Sequence, residues 1–114
     1  MEKELLMYSQ IKYSPYVALA RDLLQRYKIP FREIDITNNA TATEQLKTLT
    51  GNLNLPTLVL SKPNSKLPLA PPTPLVSGQS SRGLNRDTII TQPNNKQLEN
   101  WLHQHGFLNK PYTR

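Results

Sequence analysis

The sequence predicts an α/β domain, an open sheet with helices packed on it in the order β-α-β-α-β-β-α, and three observations carry that prediction. An apolar strand, a helix with one apolar face and a second strand follow one another within residues 5–36. The nearly continuous apolar run Thr57-Leu58-Val59-Leu60 suits a strand covered on both faces. Near the end of the chain Leu98, Trp101 and Leu102 recur at the helical period.

Leu5 to Ser9 reads as the first strand. Pro15 to Tyr27 follows as a helix, with Val17, Ala20, Leu23, Leu24 and Tyr27 on one face of a 3.6-residue period. Ser14 is placed to cap its free amides, and Pro15 sits at the first helical position, where a missing N–H costs nothing. Pro30 ends it, because the residue before a proline is pushed out of the helical region. Phe31, Ile34 and Ile36 form the second strand. Thr41-Ala42-Thr43-Glu44 has the form of a capping box, Thr41 as N-cap and Glu44 three residues on, opening a helix through Leu46 and Leu49 that Gly51 stops. Asp87 to Thr91 reads as the last strand. Asn94 or Asn95 then caps the last helix, and Gly106 terminates it.

Residues 61–87 lie between the last two strands and lead into the second of them. The segment holds Pro63, Pro68, Pro71, Pro72 and Pro74, half of the chain's ten prolines, with Gly78 and Gly83. Prolines cannot feed a strand ladder and favour extended polyproline II, so this insertion is expected to be extended or mobile rather than packed. It serves either as a spacer or as a partner-binding arm, with Leu67, Leu69, Leu75 and Val76 as the apolar contacts.

At 114 residues the chain suits a single domain, 1–114, with one core. A hydrophobic content of 37% and a mean hydropathy of −0.56 point to a part that stays unpacked. The absence of cysteine excludes disulfides, thiolate zinc sites and iron–sulfur ligation. No metal site is expected either: His103 and His105 are the only histidines, and a two-residue spacing places them on different helix faces. The net charge is +6, from 14 Lys and Arg against 8 Asp and Glu, which favours acidic partners. The cations are spread without a basic run, so they read as solvated surface and nucleic acid is not expected as a partner. No apolar run approaches the roughly 20 residues of a membrane span. Met1-Glu2-Lys3-Glu4 does not open a secretory leader, and a cytoplasmic or soluble organelle or stromal location is expected.

Two segments carry a resemblance. Tyr8-Ser9 leads into Ser14-Pro15-Tyr16-Val17-Ala18-Leu19-Ala20-Arg21, and further on stands Thr50-Gly51-Asn52-Leu53-Asn54-Leu55-Pro56. Together they resemble glutaredoxins, in which a strand ending in Tyr-Ser or Tyr-Thr precedes C-P-Y-C-x-x-A-[KR], and a T-G-x-x-x-V-P stretch closes the site. The resemblance implies a thioredoxin-like fold and a cis Leu55-Pro56 bond, with the backbone before the proline offered to an extended substrate. Ser14 and Val17 replace both sulfurs. Thiol–disulfide exchange needs a thiolate, so neither its dithiol nor its monothiol form is available to this chain.

The reading is a redox-inactive glutaredoxin-like protein that works as a protein-binding or assembly subunit, with no catalytic residue. By resemblance the binding residues are Tyr8, Lys12, Tyr13, Ser14, Tyr16, Leu55, Pro56, Asn94 and Asn95. A glutathione-binding or transferase-like module using serine and tyrosine hydroxyls, among them Ser9, is the alternative, since glutathione transferase N-terminal domains share the fold and often show S-P-Y at a helix start. That keeps glutathione as a candidate cofactor. A basic nucleic-acid-associated protein is the third reading.

Overall fold

The computed structural model describes residues 3–10, 12, 14–51 and 53–108. Four strands form one sheet, β1 (Glu4–Ser9), β2 (Arg32–Asp35), β3 (Thr57–Ser61) and β4 (Ile89–Thr91), in the order β2-β1-β3-β4. β1 and β2 run parallel, with Tyr8 opposite Ile34, and the other two pairs are antiparallel, with Leu6 opposite Val59 and Leu58 opposite Ile90. Three helices complete it: α1 (Pro15–Arg26), α2 (Ala40–Thr50) and α3 (Asn95–Gln104). This is the expected α/β order, a thioredoxin-like fold. No helix among the described residues is long and apolar enough to cross a membrane.

The core follows from the patterns in the sequence. Every residue of β3 is buried, as its unbroken apolar run requires of an inner strand. Val17, Ala20, Leu23 and Leu24 face inward from α1, while Leu98, Trp101 and Leu102 do so from α3. Trp101 is fully buried and its indole Nε1–H donates to the Asp87 carbonyl at 2.8 Å, satisfying the one polar group it carries inward. α1 and α3 pack against each other, and Arg21 of α1 reaches Glu33 of β2.

Four expectations need correction. Tyr27 is the C-cap of α1, beyond its last turn, and is exposed; its hydroxyl donates to Glu99 of α3 at 2.6 Å. The N-cap of α2 is Asn39, whose Oδ1 accepts from the Ala42 amide at 3.0 Å, so Thr41 lies inside the first turn. Asparagine outranks threonine as a cap, and it stands two residues earlier. β4 begins at Ile89, because the chain reverses at Asp87 (φ 69°) and the Arg86 amide donates to the Ile89 carbonyl at 3.0 Å.

The fourth correction concerns the insertion, most of whose residues are exposed but which docks on the sheet at separate points. The Leu69 amide donates to the Leu60 carbonyl at 2.8 Å, one step past the end of β4 in the ladder, and the Thr88 hydroxyl donates to the Ala70 carbonyl at 2.9 Å. Thr73 and Arg86 close a neck: the Thr73 amide donates to the Arg86 carbonyl at 3.0 Å, and the Arg86 Nε–H donates to the Thr73 carbonyl at 2.8 Å. Ser81 and Arg86 are buried, and Leu69 and Leu75 are half-buried. Of the expected arm contacts, Leu67 and Val76 stay free, at 69% and 70% exposed. Proline forbids a continuous ladder, but the amides between prolines still find single acceptors along the sheet.

Candidate functional site

The start of α1 is fixed by Ser14, whose Oγ accepts from the Val17 amide at 3.4 Å, with Pro15 at the first helical position. Beside it opens a polar cleft of about 370 Å³ lined by Gln10, Lys12, Ser14, Arg21, Glu33 and Asp35. Across the cleft Arg21 grips Glu33 through both nitrogens, Nε to Oε1 at 3.0 Å, and the buried Ser9 hydroxyl donates to Glu33 Oε2 at 2.6 Å. The hydrogen bond from Arg21 holds the Glu33 carboxyl below its ordinary range; burial opposes the shift and the Ser9 bond adds to it. Glu33 is thus neutralised within the cleft, which Asp35 and the exposed Lys12 also line.

The hydroxyls considered for ligand binding are differently placed. Tyr8 is fully buried, its hydroxyl has no partner among the described residues, and burial pushes the phenol above its ordinary range while Arg32 draws it back. Ser9 is committed to Glu33 and Ser14 to its helix. Tyr13 lies outside the described residues. Tyr16 stands at the surface, 40% exposed, and meets Arg82 of the insertion: Arg82 Nη2 donates to the Tyr16 hydroxyl at 2.6 Å. No histidine serves Ser14 as a base. His103 Nδ1 is engaged with the Leu108 carbonyl at 3.2 Å and His105 Nε2 with the Asp87 carbonyl at 2.6 Å.

The Leu55-Pro56 bond is cis. Both residues are buried, and the Leu55 carbonyl already accepts from Gln92 Nε2 at 3.0 Å, while the Gln92 amide donates to the Pro56 carbonyl at 2.8 Å. Half of the backbone platform before the proline is therefore taken by a side chain of this chain. Asn94 caps α3 through a reciprocal pair, its Oδ1 accepting from the Gln97 amide at 2.7 Å and its own amide donating to Gln97 Oε1 at 2.8 Å. Asn95 is the exposed first residue of the helix.

The sequence model of the Glutaredoxin family matches residues 5–62, from β1 through the α1 start and the cis turn to the end of β3. The chain belongs to the glutaredoxin family. No curated protein and no solved structure matches it. The matched span stops where the insertion begins, so β4, α3 and most of the insertion lie outside it. The chain holds no cysteine, and by the resemblance of its motif Ser14 takes the place of the family's attacking cysteine.

Lys12 and Ser14 share the cleft, whereas Tyr16 turns to the insertion and Leu55 is joined to the approach to α3 by Gln92. Sequence reasoning missed Arg82, Gln92 and the Arg21–Glu33 pair. Arg21 was in view as part of the family motif, and Glu33 flanks an apolar strand residue, so that pair had a signal; the other two had none.

Proposed function

We propose that this chain is a redox-inactive glutaredoxin-family protein that binds another protein, as an assembly or accessory subunit. The observation that carries the reading is the loss of the thiol from a frame otherwise kept: α1 starts with its serine cap engaged, the cis turn persists, neither histidine stands at Ser14, and Glu33 in its cleft is held by Arg21 and Ser9. A serine hydroxyl without a base is a weak nucleophile, so the retained surface serves contact rather than chemistry. The exposed Leu67 and Val76, on an insertion docked to the sheet at separate points, supply the apolar contacts. The hydroxyl-based glutathione reading draws less support, because Tyr8 and Ser9 are buried and Gln92 fills the Leu55 carbonyl.

The test has two parts. In a disulfide-reduction assay with glutathione and its reductase the protein gives no turnover above the protein-free control; turnover overturns the redox-inactive reading. In affinity purification from native cells a stoichiometric protein co-purifies, and is lost with Leu67→Asp and Val76→Asp. Recovery of glutathione in place of a protein favours the alternative.

A further inference from the structure

β4 is an outer strand, and an outer strand offers unpaired backbone groups to any further strand. Here residues 82–86 of the insertion occupy that edge. The Gly83 amide donates to the Thr91 carbonyl at 2.6 Å and the Arg86 amide to the Ile89 carbonyl at 3.0 Å, with single-residue bridges pairing Arg82 with Thr91 and Asn85 with Ile90. The strap's leading end is fastened to α1, where the Arg82 guanidinium bonds the Tyr16 hydroxyl and stands 5.2 Å from the centre of its ring. At Gly83 φ is +69°, and a Cβ there would stand 2.7 Å from Oε1 of Gln97, the atom that holds the Asn94 amide, so a larger residue would displace that side chain.

The chemistry of this fastening is unbalanced. Arg82 is met by a neutral phenol, and among the described residues no carboxylate forms an ion pair with it, in a chain of net charge +6. A carboxylate binds a guanidinium through two charge-assisted hydrogen bonds, each roughly twice as strong as a neutral one. An acidic group arriving at this exposed pair outcompetes Tyr16.

We infer that Arg82 and Tyr16 form a latch opened by an acidic, extended protein segment: its carboxylate takes Arg82, residues 82–85 lift from β4 while Arg86 stays in its bonds to Thr73, and the segment pairs with the edge freed at Ile90 and Thr91. This rests on the protein-binding reading above and adds the partner's chemistry and the control of the surface. Strand addition supplies the affinity through main-chain bonds, while the carboxylate supplies the choice of partner.

The experiment titrates the full chain with a short capped peptide of alternating glutamate and valine, beside a control with glutamine for glutamate, and follows amide NMR shifts and hydrogen exchange. The acidic peptide is expected to shift Tyr16, Gly83 and Thr91, and to speed exchange at the Gly83 amide about tenfold as that amide loses its acceptor. Tyr16→Phe keeps Arg82 but frees it from the hydroxyl, and is expected to bind the peptide roughly fivefold more tightly. Arg82→Ala should speed Gly83 exchange without peptide and lose the preference for the acidic one. Equal binding of the glutamine peptide, slowed or unchanged exchange at Gly83 on saturation, or no gain in Tyr16→Phe would each overturn the latch. Tighter binding of an oligothymidylate with the same shifts would overturn it in favour of nucleic acid. The failures separate: the latch can fall while the arm still retains its co-purifying protein, and reductase turnover removes the redox-inactive reading whatever Gly83 does.

Discussion

Ser14→Cys asks whether the frame would still activate a thiol. The new sulfur would stand at the half-buried N-cap of a 12-residue helix with no acidic residue in its first turn. A helix N-terminus favours an anion by about 1 kcal/mol in a partly buried setting. The Val17 amide, which now donates to Ser14 Oγ, would bond a thiolate more strongly than a thiol, adding about 1 kcal/mol more. Of the two carboxylates lining the cleft, Glu33 is neutralised by Arg21 and Asp35 accepts from the Thr37 amide, and Lys12 contributes in the same direction as the helix. At 1.36 kcal/mol per pKa unit, about 2 kcal/mol lowers the thiol from roughly 8.5 to about 7. Thiolate absorbance across a pH series, checked against the rate of alkylation by iodoacetamide, measures it. A midpoint at about 8.5 or above would refute the argument, and would mean that the α1 start no longer stabilises charge.

Three further outcomes follow from single contacts. Glu33 has a lowered folded pKa, first through the hydrogen bond from Arg21, so its stabilisation is full above its ordinary 4.5 and fades as pH falls through the lowered value. The urea-midpoint gap between the parent and Glu33→Gln, at most about 1 kcal/mol at neutral pH for so exposed a pair, should close in acid; a gap that widens there contradicts the assignment. Trp101→Phe removes a fully buried indole and its bond to the Asp87 carbonyl, but His105 still reaches that carbonyl, so a loss of about 1–2 kcal/mol is expected in urea unfolding. Leu67→Asp and Val76→Asp, at exposed positions, should leave stability within about 0.5 kcal/mol of the parent while abolishing partner retention, and a clear loss of stability would instead place these side chains in the packed fold.

Local chemistry made most of the framework readable. Ser14 with Pro15, Gly51 with φ 79° and the asparagine cap of α3 each act within a few residues, and the apolar periods of α1 up to Leu24, of α3 and of β3 met the core that they imply. The cis turn was legible through its motif. What escaped was carried across distance by single polar contacts. Arg82 reaches a residue 66 positions away, and Gln92 reaches one 37 away; neither leaves a periodicity or a pairing in the sequence. The insertion was misjudged for the same reason. Its proline count truly excludes regular elements, yet a handful of isolated amides suffices to dock it, and composition cannot show where an amide finds its acceptor.

The neck formed by Thr73 and Arg86 bears on how the protein can be altered. Two hydrogen bonds bring the ends of residues 74–85 together at the sheet and residues 82–85 are fastened to β4, so what the outer part of that loop contains is uncoupled from how it is anchored. Its outermost part, around Ser77 and Gly78, is exposed, and nothing lies within 4 Å of where a Cβ on Gly78 would stand. The neck thus makes the tip a socket: a foreign peptide or a small reporter domain joined there starts and ends at neighbouring points, and lengthening a loop whose ends are already held together costs little. A lineage could exchange one recognition sequence for another at this socket without refolding the sheet, and an experimenter could seat a fluorescent reporter there while leaving Arg82, Tyr16 and the α1 cleft as they are.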